Sequence, residues 1–270
     1  GIQLIGTGDG THPAWIEEME KYLIQDSKSG FYKLNNEMED QLKKDYSYPW
    51  VNEINYFVPT SEISTIYKKN GKVRKVHHLF IFPSITKIKE FSKYLDERAN
   101  VRSDGRPILG FRSEQLFEIA LTICPEVIYI PAHIWTPHFS VYGAKSGYDS
   151  IEECFGSLIK NIYAVETGLS SDPPMNWRVS ELDRFFLVSN SDAHGPDNLG
   201  REANYFDCDF SYEGILSALK GDNSENLLQG TIEFFPEQGK YHYDGHRKCG
   251  ISLSPEEAYK NNYICPVCNK

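Results

Sequence analysis

At 270 residues, the chain has room for one large domain of the barrel type, or for such a domain and a small appendage. Its formal net charge of −10 excludes a generic nucleic-acid binder that works through a broad basic surface. It leaves open a site that reads nucleic acid locally, and a carboxylate-rich metal site accounts for part of the charge. No apolar run approaches the roughly 20 residues that span a bilayer, and no secretion signal is visible. A cytoplasmic protein with no membrane partner is expected. The chain opens at Gly1 without an initiator methionine, and both ends read as cut from something longer. Six cysteines are too few for a disulfide scaffold, and three of them, Cys249, Cys265 and Cys268, crowd into the last 22 residues. That pattern favours metal over disulfides. Cys124, Cys154 and Cys208 read as packing residues.

In chain order, residues 2–6 predict a short strand, and residues 14–23 a helix with Pro13 in its first turn. Residues 66–75 predict a hairpin around Asn70-Gly71, running on into a strand over 76–82. Helical periodicity covers 84–95 and 113–123. A strand over 127–131, a helix over 150–159 and strands over 163–165 and 185–188 follow. Residues 211–219 predict a helix with Ser211 as N-cap and Gly221 at its end. Strand followed by helix, repeated, predicts an α/β fold with a mostly parallel sheet or a barrel.

The strands end in metal-binding residue types. The first runs into Gly6-Thr7-Gly8-Asp9, followed by His12, and the hairpin strand carries His77 and His78, with Glu62 upstream. The strand over 127–131 leads to His133, the next to Glu166, and the last to Asp192 and His194. Function collects at the carboxyl ends of strands in α/β barrels. A ring of buried carboxylates and imidazoles without a counter-ion would be strongly destabilising. The mixed nitrogen and oxygen donors suit Zn²⁺, Mn²⁺ or Fe rather than Ca²⁺, and their number implies at least two ions. Trp15, Trp135, His138, Phe139 and Tyr142 follow these strand ends, where aromatic faces could hold an unstacked base. Lys68, Lys69, Lys72, Arg74 and Lys75 flank the hairpin turn and could touch phosphates. Gly8-Asp9-Gly10 lacks the fuller glycine pattern and the lysine of a phosphate-cradling loop.

The C-terminal cluster stands apart. His246-Arg247-Lys248-Cys249, then fifteen residues, then Cys265-Pro266-Val267-Cys268 is a knuckle spacing for tetrahedral, structural Zn²⁺. His242 competes with His246 as the fourth ligand.

Taken in order, Thr7-Gly8-Asp9, His78, His133, Glu166 and Asp192-Ala193-His194 resemble the successive metal motifs of the PHP (polymerase and histidinol phosphatase) superfamily. The longer stretches 6–15, 131–139, 166–173 and 241–249 are similar to endonuclease Q, a branch that couples a PHP domain to a zinc finger. The resemblance implies a distorted (β/α)₇ barrel over 1–236 holding two to three divalent ions (Zn²⁺, Mn²⁺ or Mg²⁺), with a zinc-finger module over 237–270. It implies Asp9, Glu62, His78, His133, Glu166, Asp192 and His194 as barrel ligands, with Asp192, His194 and His133 closest to the chemistry. His12 could substitute for Asp9, and His12, Trp15 and His138 are candidates to touch substrate. Of the adjacent histidines, His78 is the one that matches the motif, and alternation along a strand keeps His77 from facing the same centre. Two departures stand out: the family's opening His-x-His motif and its region beyond the zinc finger are absent from this chain.

The activity implied is metal-dependent hydrolysis of DNA on the 5′ side of a deaminated base (uracil, hypoxanthine or xanthine) or an abasic site. The ions would activate water and neutralise the phosphate, and the base would leave the stack for inspection. The alternatives are a PHP phosphoesterase without lesion preference, and a non-catalytic DNA-binding module with an incomplete metal centre.

Overall fold

A computed structural model describes residues 1–45, 55–239 and 241–270. The first third contains β1 (Leu4–Gly6), α1 (Pro13–Tyr22), β2 (Leu23–Gln25), β3 (Tyr32–Leu34), α2 (Asn36–Asp45) and β4 (Tyr56–Val58). The long strands β5 (Thr60–Lys69) and β6 (Lys72–Ile81) lead to α3 (Ile85–Asp96), β7 (Ile108–Leu109), α4 (Ser113–Ile123) and β8 (Ile128–Pro131). Then come α5 (Ile151–Phe155), β9 (Ala164–Glu166), α6 (Pro173–Asn176), β10 (Phe186–Val188), β11 (Ala203–Asp207), α7 (Tyr212–Lys220) and β12 (Leu227–Ile232). The C-terminal stretch adds β13 (Asp244–His246), β14 (Ile251–Leu253) and α8 (Pro255–Lys260). None of the described helices is long and apolar enough to cross a membrane.

Local chemistry explains where the helices start and stop. Ser84, Ser150 and Ser211 accept the backbone N–H three residues on, from Lys87, Glu153 and Gly214, satisfying donors that the first turn leaves open. Gly221 closes α7 in the left-handed region at φ +63°. The single helix predicted over 150–159 is cut short, because Gly156 turns the chain at φ +54° and residues 156–161 continue as a 3₁₀ helix.

The mixed α/β class stands, but the pairing differs from a mostly parallel sheet. Two sheets have four strands, in the orders β1-β4-β3-β2 and β7-β5-β6-β8, and three are two-stranded pairs. Among the described residues these sheets close no single hydrogen-bonded ring. Pairing is parallel for β1–β4, β5–β7 and β9–β10, while β5–β6 and β6–β8 are antiparallel. The reason is the two-residue turn at Asn70 and Gly71, with φ of +54° and +75°. So short a connection can only return the chain antiparallel.

Two cores flank the second sheet. Tyr129 on β8 joins Ile63, Val76, Phe80, Phe91, Phe117 and Phe155 in the larger one. Ile128 and Ile130, on the opposite face of β8, pack with Ala164, Val188, Tyr212 and Leu219 in the smaller. β8 is thus buried on both faces, which holds the segment after it, carrying His133, against solid protein on both sides. Each fully buried large apolar side chain stabilises the fold by about 1.5–3 kcal/mol.

Glu202, just before β11, is only 3% exposed and accepts the Phe234 N–H at 3.3 Å. Burial, with help from the nearby Glu233 and Glu166, pushes its carboxyl up from 4.5 to about 7. Between these two values the folded chain binds more protons at this position than the unfolded one, so this group's contribution to stability declines as pH rises through that window. Glu202→Gln removes the ionisation. Its thermal stability relative to the native protein is expected to improve from pH 5 to pH 8 by about 1 kcal/mol or more. A difference that does not change with pH would overturn this reading.

Candidate functional site

The turn at Asn70-Gly71 pairs Lys69 with Lys72 and therefore Glu62 with Leu79, Ile63 with His78 and Ser64 with His77. Residues facing one another across an antiparallel pair share a side of the sheet. Glu62, Ser64, His77 and Leu79 lie on one side, and Ile63, Thr65, Val76, His78 and Phe80, all fully buried, lie on the other. His77 Nδ1 sits 2.7 Å from Glu62 Oε1 and 3.0 Å from His133 Nε2, and His133 Nε2 sits 3.5 Å from Glu62 Oε1. Glu62, His77 and His133 thus bring three ligand atoms within 4.8 Å of one another.

This corrects the expectation that His78 is the ligand and that His77 faces elsewhere. His78 points into the larger core, with Nδ1 2.7 Å from the Tyr129 hydroxyl and Nε2 2.9 Å from Thr65 Oγ1. Burial there drops its pKa to about 3, so it stays neutral at any physiological pH. The register signal was in the sequence: a two-residue Asn-Gly turn fixes which residues pair, and Glu62 falls in the same parity as His77.

The environment sorts the charges of the three residues. Burial would raise the Glu62 carboxyl, but the imidazoles of His133 and His77 bonded to it outweigh that and hold it well below its ordinary value. Burial lowers His77, whereas Glu62 overcomes the same effect at His133 and raises it. The set is an anionic carboxylate facing two imidazoles, one of which readily takes positive charge. A divalent cation satisfies the same three electron-pair donors, so the residues fit a metal ion.

His133 is held in an unusual conformation. Its φ is +29°, outside the region most side chains adopt. Its N–H donates to Glu166 Oε2 at 2.7 Å, and its Nδ1 lies 3.0 Å from Thr136 Oγ1. Gly168, at φ +62°, leaves no room for a side chain: a Cβ there would sit 2.5 Å from that of His133. Glu166 lies behind His133 rather than among the three converging atoms. Burial pushes its carboxyl up to about 7, and Asn190 Nδ2 donates to it at 2.8 Å. His77 is pinned to the same loop, its N–H donating to the Phe139 carbonyl and its own carbonyl accepting from Ala132 N–H.

Asp9 and Asp192 approach from two other loops, both with positive φ, +50° and +45°. The Asp9 loop is fastened to the start of β5: Gly8 N–H donates to Thr60 Oγ1, Thr60 N–H to Thr7 Oγ1, and Gly10 N–H to the Thr60 carbonyl. Gly105 presses so closely on the Asp9 carboxylate that a Cβ would overlap it. Burial, the neighbouring Asp104 and, more weakly, Glu62 raise the Asp9 carboxyl. Asp192 acts electrostatically on His133. Exposed His194 places Nδ1 3.7 Å from Asp192 Oδ1, at the rim of the site.

The three residues expected to touch substrate lie outside this centre. His12 stands at the N-cap position of α1 without capping it through its side chain, and its Nε2 lies 3.2 Å from the Arg102 carbonyl. Trp15 packs half-buried against the larger core, and His138 is exposed on the loop after β8. Trp135 stacks on Tyr142 at 4.6 Å and donates to Asn176 Oδ1. It helps line a cleft of about 340 Å³ with Ser170, Ser171, Met175, Arg178 and Val179. Two of the hairpin cations are already engaged within the fold, Lys69 with Glu114 and Arg74 with Glu153 and the Gly147 carbonyl. One cation that the sequence did not single out, Arg106, places Nη1 3.4 and 3.5 Å from the two oxygens of Glu62.

At the C-terminal end, His246, Cys249, Cys265 and Cys268 bring their ligand atoms within 4.8 Å of one another, with Cys268 Sγ 3.1 Å from His246 Nδ1. His246 ends β13, and Gly250, at φ +65°, turns the chain straight after Cys249. The competing His242 packs edge-on against Tyr243 instead. Four converging donors, three of them sulfur, fit one tetrahedral metal ion.

No family model matches the chain. An uncharacterised protein, YqxK of Bacillus subtilis (strain 168), is 32% identical over 203 residues, covering 72% of this chain and 48% of that protein. The uncharacterised MJ0043 of Methanocaldococcus jannaschii is 35% identical over 142 residues, covering 50% of this chain and 17% of that protein. The chain therefore spans about half the length, or less, of the curated relatives it matches. Among solved structures, the lesion-specific endonuclease PfuEndoQ from Pyrococcus furiosus matches with a TM-score of 0.77 and 29% identity, over 100% of this chain and 60% of that one. An endonuclease Q complex with a 27-mer duplex bearing an abasic lesion at its active site matches with a TM-score of 0.78 and 29% identity, over the same shares. Motifs and fold agree: over its whole length the chain is similar to endonuclease Q, in line with the PHP resemblance of its motifs.

Proposed function

We propose that this chain carries the metal-dependent catalytic part of a DNA endonuclease that cuts on the 5′ side of a deaminated base or an abasic site. One observation carries the reading: Glu62, His77 and His133 converge on a single point, on a chain whose whole length superposes on a lesion-specific endonuclease. In this reading residues 1–236 form a distorted (β/α)₇ PHP barrel and residues 237–270 a zinc-finger module.

Glu62, His77 and His133 would hold one divalent ion, with Asp9, Asp192 and His194 completing the ligand sets around it. Such ions lower the pKa of water and neutralise phosphate charge. The protein's share is to fix the donors before substrate arrives. Glu166 orients His133 by taking its backbone N–H, and Thr136 meets the ring nitrogen that faces away from Glu62. The bonds that Thr60 accepts from Gly8 and Gly10 and donates to Thr7 bring Asp9 to the same edge of β5. None of these side chains needs to act as a nucleophile.

The direct test is incision of uracil-containing and abasic duplexes by the full-length protein with added Mn²⁺ or Zn²⁺. Activity is expected to disappear on chelation and to return with metal. Glu62→Gln and His77→Ala should each reduce the incision rate by at least about 10²-fold, with circular dichroism unchanged. Asp192→Asn should do the same while leaving lesion binding largely intact. Near-native incision by Glu62→Gln or His77→Ala, with metal still bound, would overturn the assignment.

The four-ligand cluster makes its own prediction. Cys265→Ser is expected to lose about one zinc per chain and to raise amide exchange over residues 241–270, with the rest of the chain unaffected. Unchanged zinc content, or unchanged exchange in that segment, would count against a structural ion.

A further inference from the structure

We propose that Arg106 is the residue that grips the phosphate to be cleaved. The proposal rests on the endonuclease reading above and names a group that reading does not use. Arg106 lies between α3 and β7, and its backbone is fixed on both sides. Its N–H donates to Asp104 Oδ1 at 3.0 Å, Gly105 before it abuts the Asp9 carboxylate, and the Pro107 carbonyl after it accepts from Ser64 N–H at 3.0 Å. The side chain therefore leaves a rigid base two residues along β5 from Glu62.

Its contact with Glu62 does not use what a guanidinium offers. One nitrogen, Nη1, reaches both carboxylate oxygens at 3.4 and 3.5 Å. A well-formed charged pair of this kind measures about 2.7–2.9 Å and is often a two-nitrogen fork. The short bond of Glu62 goes to His77 instead, at 2.7 Å. Arg106 has five N–H donors, and Nε and Nη2 donate to no described residue. With a third of its side chain exposed, the free edge of the fork is open to solvent.

The other arginines nearby are occupied. Arg74 is tied to Glu153 and Gly147, Arg102 to Asp96, and Arg201 to the carbonyls of Ser191 and Asp192. Among the described residues, Arg106 is the one lysine or arginine paired with Glu62. A phosphodiester lodged beside this centre presents two non-bridging oxygens that share one negative charge, which match the fork. The charge that builds on those oxygens during in-line attack strengthens the contact in the transition state.

The test compares Arg106→Lys and Arg106→Gln with the native full-length protein, with Lys89→Gln, from an exposed pair with Glu20 on α3, as a control for charge loss. Incision of an abasic duplex is expected to fall by about 10²–10³ in kcat for Arg106→Gln and to be only partly restored by lysine. Mn²⁺ affinity, from calorimetry, should stay within about threefold, because arginine is not a ligand. The slope of log affinity for duplex against log salt should drop by about 0.9, the loss of one phosphate contact, with no such drop in Lys89→Gln. Full activity in either Arg106 variant overturns the proposal. So does a loss of rate that tracks lost Mn²⁺ affinity at an unchanged salt slope, which would make Arg106 a support for Glu62. A native protein that cuts nothing overturns the endonuclease reading itself, and the proposal with it.

Discussion

The centre depends on the register of one hairpin. A two-residue turn at Asn70-Gly71 leaves β5 and β6 no freedom to slide, since a shift of one residue would send Ile63, Val76 and Phe80 into the site and Glu62 and His77 into the core. The cost of that exchange is several large side chains uncovered and two polar groups buried without partners, far more than any local preference could offset. The apolar packing of one face is therefore what holds the ligands on the other. His78 shows how closely the two sides are coupled: it sits beside His77 in the chain, yet its surroundings keep it neutral and bonded to Tyr129 and Thr65.

Around that fixed hairpin, strained backbone recurs where the donors meet. Asp9, His133 and Asp192 all have positive φ, a conformation that costs such residues roughly 1–3 kcal/mol each. In each case neighbouring groups hold the conformation. Thr60 ties down the loop of Asp9, Glu166 takes the N–H of His133, and Arg201 takes the carbonyl of Asp192. Two glycines, Gly105 and Gly168, let backbone approach where a methyl group would displace Asp9 or His133. Such pre-placement has a chemical use, since a group already in position needs no reorganisation when a cation or an anion arrives.

Much of this was legible in the sequence, and the parts that were not have physical reasons. The Ser211 cap, the glycine at the end of α7 and the strands leading to His133, Glu166 and Asp192 follow from local chemistry that tertiary contacts did not override. The short pairs β2–β3 and β11–β12 carry little apolar alternation, and α2 has no buried residue, so no periodicity marked them. Arg106 and Gly105 come from an irregular loop that only the β5–β7 pairing brings to the centre. No spacing rule reaches that far. The choice of His78 over His77 was a different kind of miss, because the turn and the position of Glu62 were both in view and together decide the parity.

The two clusters of candidate ligands differ in what surrounds them. Glu62, His77 and His133 stand on a body with two apolar cores, so a metal ion held there would not be needed to make the fold. The segment from Tyr241 to Lys270 has almost no interior: Ala258 and Cys265 are its buried apolar residues, while Tyr259, Tyr263 and Val267 lie open to solvent. A capping box at Ser254 and Glu257 sets the start of α8, but one short helix and a two-stranded pair cannot stabilise each other at this size. Bonds from an ion to three sulfurs and an imidazole nitrogen would supply that missing stability. The softer donors therefore sit where a fold must be made, and the mixed nitrogen and oxygen donors sit where the fold already exists and can hold them under strain.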